Sequence, residues 1–228
     1  MFGVQDRLVA GSPITWSGAH LRPSLKVPGT RPTRWETLLN KVALRQQLRR
    51  NRAAIDATTA HHAAEQAAQH LARTPWLRRA QHIAAYLDYG SELQTSSLID
   101  YLLACGKQIY VPRIGANNRM RFLRLDDRTP LRCNRYGITE PAGSRPIRSL
   151  RQMDVVLLPL LGFDHHGARL GTGGGYYDRA LAFPRAFRKP LLVGYGYELQ
   201  KVESIPTESW DIRLDAMVTE QGIYTFNR

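Results

Sequence analysis

A glycine-rich segment, residues 171–175, is the feature that most constrains this chain. Four of its five residues are glycine, and it runs directly into Tyr176, Tyr177, Asp178 and Arg179. Glycine adopts positive φ at no steric cost and lets other groups approach the backbone closely, so successive N–H groups can converge on an anion. Helix-forming residues follow, so we expect the segment to open a helix whose N-terminus favours a phosphate. Asp178 would lie close enough to hold a divalent cation over that phosphate.

The alternative is a flexible glycine turn between a strand and a helix. Residues 154–161 are apolar and β-branched, which places the glycines after the carboxyl end of a buried strand, where open α/β sheets bind ligands. The segment matches neither standard nucleotide motif. No Lys-Ser or Lys-Thr pair follows the glycines as in a P-loop, and position 176 is Tyr where a dinucleotide fingerprint has Gly. The sequence therefore predicts a phosphate site of another kind.

Helical and strand patterns alternate along the rest of the chain. Helices are predicted at 35–52, 57–73 and 93–104, and strands at 82–87, 108–111, 120–125, 154–161, 191–194, 216–219 and 223–226. This alternation is typical of an α/β fold with an open, mostly parallel sheet flanked by helices. A chain of 228 residues with 43% hydrophobic content can bury one large core, and we interpret it as a single domain.

The first 34 residues differ in composition from the rest of the chain. They are rich in Gly, Pro, Ser, Thr and Arg and show no sustained periodicity. We therefore expect a poorly ordered basic extension at residues 1–34, followed by an α/β domain over residues 35–228. No apolar stretch of the secretory-signal type follows the basic start. An Arg-rich, acid-poor transit peptide and a misassigned upstream start codon are two other origins for such a segment.

The chain is strongly basic, with a formal net charge of +13 and a pI near 10.3. The excess is uneven, because residues 1–60 hold ten Lys and Arg against three acids and so contribute +7. A basic surface is the electrostatic footprint of nucleic-acid binding, but it also attracts polyanionic small molecules. No RRM, KH or helix-turn-helix pattern appears, so we expect no nucleic-acid partner.

Composition also indicates where the protein is located in the cell and whether it associates with membranes. The longest mostly apolar stretch, residues 155–163, is far shorter than the ~20 residues of a membrane span, so we expect no membrane association. Cys105 and Cys133 have neither CxxC nor Cys/His metal spacing, which favours a reduced, cytoplasmic protein. We expect a monomer.

The predicted helix at 35–52 carries Lys41, Arg45 and Arg49 at four-residue intervals, so the three cations project from one face. We call these three residues the cationic face. A solvated surface is the ordinary explanation of such a stripe, and a surface that neutralises phosphate is the other.

Six segments of the chain resemble, in order and spacing, the 5-formyltetrahydrofolate cyclo-ligases, also called methenyltetrahydrofolate synthetases. The glycine-rich signature runs from residue 159 to residue 179, and the resemblance covers roughly residues 38 to 220. The other matching segments are 41–45, 92–95, 111–113, 137–141 and 210–215. A glycine loop alone is a weak match, whereas six ordered segments make a specific one.

The resemblance implies ATP- and Mg²⁺-dependent cyclisation of 5-formyltetrahydrofolate, with or without a polyglutamyl tail, to 5,10-methenyltetrahydrofolate, ADP and phosphate. A phosphoryl group activates the formyl oxygen and N10 then attacks, so the nucleophiles are substrate atoms. The protein supplies positioning and charge stabilisation. By resemblance the catalytic cations are Lys41, Arg45 and Arg169. We expect Arg49 and Arg50 to be ordinary solvated surface residues.

The same resemblance implies the ligand contacts. ATP would bind Lys41, Arg45, Arg169, Leu170, Gly171, Thr172, Gly173, Gly174, Gly175, Tyr176 and Tyr177. The folate would bind Leu87, Glu92, Thr172, Gly173, Gly174, Gly175 and Tyr176. The Mg²⁺ ligands would be Asp178 and Asp211, and a contribution from Asp215 stays open. Thr172 and Gly174 stand where some members carry basic residues, which leaves more of the phosphate charge to Arg169.

Several of these residues also have purely structural explanations. Asp178 suits a helix N-terminus, Asp211 a turn, Glu92 a first helical turn and Tyr177 helix packing. Two other functions compete with the cyclo-ligase. One is nucleic-acid binding by the basic helix, and the other is an enzyme of similar fold that acts on a sugar phosphate or coenzyme A. The absence of a glutamate nucleophile in a glycine-rich context argues against coenzyme A.

Overall fold

The computed structural model describes five stretches of the chain, with side chains from residue 40 onward: residues 34–115, 119–134, 137–143, 147–184 and 189–226. Apart from the backbone of Arg34, the extension expected at residues 1–34 lies outside the described residues. The described residues all belong to one unit, Thr33–Arg228.

The described residues form five helices and twelve strands. The helices are α1 (Arg34–Ala53), α2 (Ala57–Ala72), α3 (Pro75–Arg79), α4 (Ser96–Ala104) and α5 (Tyr176–Ala180). The strands are β1 (His82–Ala84), β2 (Gln108–Ile114), β3 (Met120–Leu125), β4 (Leu131–Cys133), β5 (Thr139–Pro141), β6 (Ile147–Arg148), β7 (Val155–Leu158), β8 (Gly162–Phe163), β9 (Arg169–Leu170), β10 (Leu191–Tyr195), β11 (Ala216–Thr219) and β12 (Gly222–Thr225). Within these stretches no helix combines the length and the apolar character that a bilayer crossing requires.

Eight of the strands form one sheet, in the order β12-β11-β10-β7-β1-β2-β3-β6. The five central strands, from β11 to β2, run parallel. Strands β12, β3 and β6 pair antiparallel at the two edges. The other four strands form two small ladders, β4 with β5 and β8 with β9. The predicted α/β fold with an open, mostly parallel sheet flanked by helices is confirmed.

Strand β7 shows why the centre of the sheet is covered on both faces. All four of its residues are buried. Val155 and Leu157 pack in the cluster that includes α2 and α4, whereas Val156 and Leu158 pack in the cluster on the other face. Successive side chains of a strand point to opposite faces, so a continuous apolar run fits a strand that is buried on both.

Tertiary contacts move several element boundaries from their predicted positions. The strand predicted at 154–161 ends at Leu158, and the next residue, Pro159, has no N–H to extend the ladder. The helix predicted at 93–104 begins only at Ser96, because Thr95 instead donates through Oγ1 to Tyr86 O at 2.9 Å. The helix expected after the glycines is α5, which spans only five residues.

Gly194 in β10 lies where neighbouring side chains approach the sheet most closely. A Cβ atom there would lie 2.5 Å from Met217 Sδ and 2.8 Å from both Leu160 Cδ2 and Leu214 Cδ1. We expect Gly194→Ala to lower the free energy of unfolding by about 1–3 kcal/mol, because overpacking forces its neighbours to shift. Thermal unfolding measures the loss. Gly115→Ala is the control, since its methyl group meets a backbone oxygen at an ordinary 3.6 Å. Equal melting temperatures for the two variants would contradict this packing.

Candidate active site

The cleft that collects most of the predicted ligand contacts lies at the carboxyl ends of β1, β2 and β7. Strands β2 and β7 pair with opposite sides of β1, so the chain reverses its direction across the sheet there. In open α/β sheets such a reversal leaves a crevice in which ligands bind. The crevice here measures about 640 Å³, a volume typical of small-molecule sites. Its lining includes Leu87, Glu92, Arg169, Gly171, Thr172, Gly175, Tyr176, Tyr177 and Asp178.

The glycine-rich segment connects β9 to α5 in the wall of the cleft. Gly173 has φ +109° and Gly175 has φ +62°, conformations that residues with a Cβ atom rarely adopt. A Cβ atom at Gly174 would lie 2.8 Å from the ring of Tyr176. The path of the backbone therefore favours glycine at 173 and 175, and the ring of Tyr176 occupies the space that a side chain at 174 would need.

The cationic face of α1 meets the glycine-rich segment. Arg45 Nε donates to the backbone oxygen of residue 171 at 3.0 Å, and Arg49 Nη2 donates to that of residue 172 at 2.9 Å. Lys41, one turn earlier, places its Nζ 2.7 Å from Asp211 Oδ2. The structure thus brings Arg45 and Arg49 to this segment, and it joins Lys41, on the same face of α1, to Asp211. Arg49 is exposed, as expected of a solvated residue, but its guanidinium also contacts the segment.

Arg169 and Asp178 form an ion pair in the cleft wall. Arg169 Nη2 donates to Asp178 Oδ1, and 4% of the arginine side chain is exposed against 31% of the aspartate side chain. Arg169 Nε has no hydrogen-bond partner among the residues that the structure describes. A buried guanidinium that is paired with one carboxylate keeps donors for a second anion. Arg169 is therefore suited to contact a phosphate in the cleft.

Asp178 and Asp211 are the carboxylates predicted to hold Mg²⁺. Each accepts a hydrogen bond from one cation through a single oxygen, and each retains a second carboxylate oxygen. Because Mg²⁺ is bound by one or two carboxylates together with water and phosphate oxygens, a carboxylate of this kind is chemically suited to the ion. Across the described stretches, no group of three or more His, Cys, Asp or Glu side chains is arranged to hold a metal without other ligands.

Asp215 lies away from the cleft. Its side chain is buried, and its Oδ2 accepts a hydrogen bond from Leu192 N at 2.8 Å. Leu192 lies near the amino end of β10, whereas the cleft lies at the carboxyl ends of the parallel strands. The structure therefore gives Asp215 a place in the sheet rather than beside Asp211.

Glu92 and Leu87 lie in the loop that follows β1. Glu92 precedes α4 by several residues, so it is not a first-turn helix acid, and its Oε2 accepts from Tyr89 N at 3.1 Å. Burial raises the pKa of the Glu92 carboxyl, and the positive charge of Arg52 opposes that shift. The cleft therefore contains a shielded acid beside apolar surface.

Arg52 and Glu140 also line the cleft, and neither was among the predicted site residues. Arg52 lies three residues after Arg49, so the helical period that aligns the cationic face includes it, and that period is the signal that could have identified it. Glu140, in β5, is buried and accepts hydrogen bonds from Arg132 and Asn134 at 3.3 Å. No local pattern marks Glu140, because its position depends on how the β4–β5 ladder folds over the sheet.

The buried Tyr177 hydroxyl lies beside the cleft, and no described residue offers it a hydrogen-bond partner. Because an unpaired buried polar group is costly, we expect Tyr177→Phe to leave the free energy of unfolding unchanged or to raise it by about 1 kcal/mol. In the matched control, Tyr195→Phe, a hydroxyl that donates to Ala64 O at 3.2 Å is lost, so stability should fall by about 1 kcal/mol. Urea unfolding of both variants measures the contrast. Equal destabilisation would mean that the protein itself satisfies the Tyr177 hydroxyl.

Sequence comparison relates this chain to proteins of known family. Residues 38–220 match the model of the 5-formyltetrahydrofolate cyclo-ligase family. The 5-formyltetrahydrofolate cyclo-ligase of Escherichia coli strain K12 is 36% identical over 181 residues, which cover 78% of this chain and 98% of that protein. The enzyme of the same name from Haemophilus influenzae is 35% identical over 174 residues, which cover 75% of this chain and 92% of that protein.

Solved structures show the same relationship. The NMR structure of Aquifex aeolicus 5,10-methenyltetrahydrofolate synthetase superposes with a TM-score of 0.73 at 28% sequence identity, covering 82% of this chain and 93% of that one. The sequence match spans the cationic face, the glycine-rich segment and Asp211. The chain therefore belongs to the 5-formyltetrahydrofolate cyclo-ligase family.

Proposed function

We propose that the chain catalyses the ATP- and Mg²⁺-dependent cyclisation of 5-formyltetrahydrofolate to 5,10-methenyltetrahydrofolate, with release of ADP and phosphate. Family membership supports the overall reaction. One structural observation carries the residue assignments: the cationic face of α1 contacts the glycine-rich segment, with Arg45 Nε 3.0 Å from Gly171 O. A basic face that served only as a solvated surface would not need these contacts.

The chemistry requires no nucleophilic side chain. A formamide carbonyl is a poor electrophile, and its oxygen is a poor leaving group. Transfer of the γ-phosphoryl group of ATP to the formyl oxygen gives an iminium phosphate at N5. N10 then attacks the formyl carbon and loses its proton to solvent. The carbon–oxygen bond breaks, and the oxygen keeps the electron pair and leaves as part of inorganic phosphate. Catalysis then rests on positioning and on charge stabilisation.

The glycine-rich segment and the nearby cations would hold the phosphates. Backbone N–H groups of residues 171–175 donate to phosphate oxygens, while Lys41, Arg45 and Arg169 neutralise the charge that shifts between oxygens. Thr172 supplies no charge, so the buried Arg169 carries more of this task. Mg²⁺, when bound by Asp178 and Asp211, would neutralise further charge on the phosphoryl oxygens.

The loop after β1 would hold the folate. The Glu92 carboxylate suits the amino-pyrimidinone edge of the pterin, because it accepts hydrogen bonds from the 2-amino and N3–H groups. Leu87 supplies apolar surface to the flat ring. Tyr176 and Tyr177 supply aromatic surface to the pterin or to adenine.

A direct assay tests the reaction. Purified protein is mixed with 5-formyltetrahydrofolate and MgATP, and the absorbance of the methenyl product is followed in the near ultraviolet. The expected result is a rise that requires both ATP and Mg²⁺. A flat trace from folded protein would remove the proposal, and a salt-sensitive complex with RNA in the absence of ATP turnover would favour nucleic-acid binding instead.

We further propose the setting of this activity. The protein acts as a cytoplasmic monomer without nucleic-acid or membrane partners, and it accepts the folate with or without a polyglutamyl tail. Residues 1–34 are an additional basic segment that the activity of the domain at 35–228 does not require. Size-exclusion chromatography tests the monomer. Deletion of residues 1–34 tests the extension, with an unchanged rate of ring closure as the expected result.

A further inference from the structure

Arg52 is a buried cation in the cleft wall that the proposed phosphate site does not use. It is 8% exposed, and no carboxylate of the described residues forms an ion pair with it. Burial lowers the pKa of Arg52, and the charge of Glu92 opposes that shift. A buried charge without a direct counter-ion is costly, so its presence beside a cleft calls for a ligand that uses it.

Two hydrogen bonds orient the Arg52 guanidinium. Its Nε donates to Ser91 Oγ at 3.1 Å, and its Nη1 donates to Leu160 O at 3.2 Å. Ser91 directly precedes Glu92, and Leu160 follows β7, so α1 is tied to both loops that border the cleft. The remaining donors of the guanidinium, including both on Nη2, take part in no bond with a described residue. A planar guanidinium whose Nε and Nη1 are both bonded holds its remaining Nη2 donors in a fixed direction.

The edge of a pterin carries groups of opposite hydrogen-bonding character. The 2-amino and N3–H groups donate, whereas the neighbouring 4-oxo group accepts. A carboxylate such as Glu92 matches the two donors, but it offers nothing to the 4-oxo oxygen. Arg52 and Glu92 line the same cleft and lie close enough to influence each other's charge. Together they supply the acceptors and the donor that the whole edge requires.

We propose that Arg52 donates a hydrogen bond to the 4-oxo group of the bound pterin and thereby selects 4-oxo over 4-amino pteridines. The inference rests on the proposed function, because it takes a folate as the occupant of the cleft. A 4-amino group would set a donor against the donors of Arg52. A site built to hydrogen-bond one group discriminates strongly against an analogue that leaves its buried donor unpaired.

A matched ligand pair tests the proposal. Folic acid and its 4-amino-4-deoxy derivative differ at position 4 and, in consequence, at N3, which donates in folic acid and accepts in the derivative. Their dissociation constants are measured by calorimetry in the presence of MgADP. For the unmodified protein, we expect folic acid to bind about 10- to 100-fold more tightly than the derivative. Arg52→Met should reduce this ratio by about five- to tenfold, mainly by weakening folic acid, while the part of the preference that Glu92 sets through N3–H remains. Arg52→Lys retains a charged donor and should keep part of the preference.

The control is Arg50→Met, which makes the same substitution on an exposed face of the same helix and should keep the full preference. Thermal unfolding establishes that each variant is folded. If Arg52→Met does not fold, the ratio of the two dissociation constants in Arg52→Lys tests the proposal instead. A purely bracing role for Arg52 would weaken both ligands equally and leave their ratio unchanged, which overturns the proposal. Equal affinities in the unmodified protein also overturn it. The ring-closure assay is scored separately, so a normal absorbance trace with no 4-oxo preference rejects this inference alone.

Discussion

Asp178→Asn is expected to lower kcat for ring closure by about 100- to 1,000-fold, a loss comparable to that of one electrostatic contact to a transition state. The asparagine keeps an oxygen that can accept from Arg169, so the variant should remain folded. It lacks the negative charge that the proposed Mg²⁺ site uses, and the loss of a charged partner for the buried Arg169 lowers stability, which thermal unfolding measures separately. Steady-state kinetics at saturating ATP and folate measure the effect, and a Mg²⁺ titration shows whether the variant needs more metal.

Asp56→Asn is the matched control for this substitution. Asp56 is exposed at the N-cap of α2, where its side chain accepts from the backbone N–H groups of Thr58 and Thr59. Asparagine caps a helix as well as aspartate does, so both stability and kcat should remain normal. An unchanged kcat in Asp178→Asn would instead leave Asp178 as an ordinary acid near a helix N-terminus.

Glu92→Gln is expected to raise KM for 5-formyltetrahydrofolate by about 10- to 100-fold, because hydrogen bonds to a charged group are stronger than those to an amide. KM for ATP should stay within about twofold of its normal value, since the proposed contact of Glu92 is with the folate alone. Glu65→Gln, at an exposed position of α2, is the control and should change neither constant. A parallel rise in both KM values would contradict a folate-specific role.

The pH dependence of the same KM provides a second measurement. Burial raises the pKa of Glu92 above its usual value of 4.5. The carboxylate is the binding form, so KM for the folate should rise as pH falls through this raised pKa, at a higher pH than an ordinary glutamate would show. The contribution of Glu92 to the free energy of unfolding depends on pH in the opposite direction. It is present in full below pH 4.5 and is lost as pH rises through the folded-state pKa. Glu92→Gln should flatten both profiles.

The fold could be predicted because its signals are local. The apolar run that becomes β7 can be recognised within a few residues, and so can the alternation of helices and strands around it. The first and last residues of helices and strands were less predictable where a tertiary contact determines them. Thr95 is the clearest case, because its hydroxyl bonds to Tyr86 O and delays the start of α4.

The site residues also include some that the sequence predicts and some that it does not. The glycine-rich segment and the cationic face are local patterns. The resemblance to a family predicts that both belong to one site. Glu140 could not be predicted, because it reaches the cleft only through the pairing of β4 with β5. Arg52 occupied a recognisable position on the helix, but its burial depends on Leu160, 108 residues away in the chain.

The ion pair between Lys41 and Asp211 joins residues 170 positions apart. During synthesis α1 leaves the ribosome well before Asp211, so the proposed nucleotide site stays incomplete until the residues around Asp211 have also emerged. Under the proposed function, cellular ATP therefore stabilises chains that include Asp211 and gives little protection to shorter ones. A premature stop before residue 211 would yield a fragment that nucleotide cannot rescue from proteolysis.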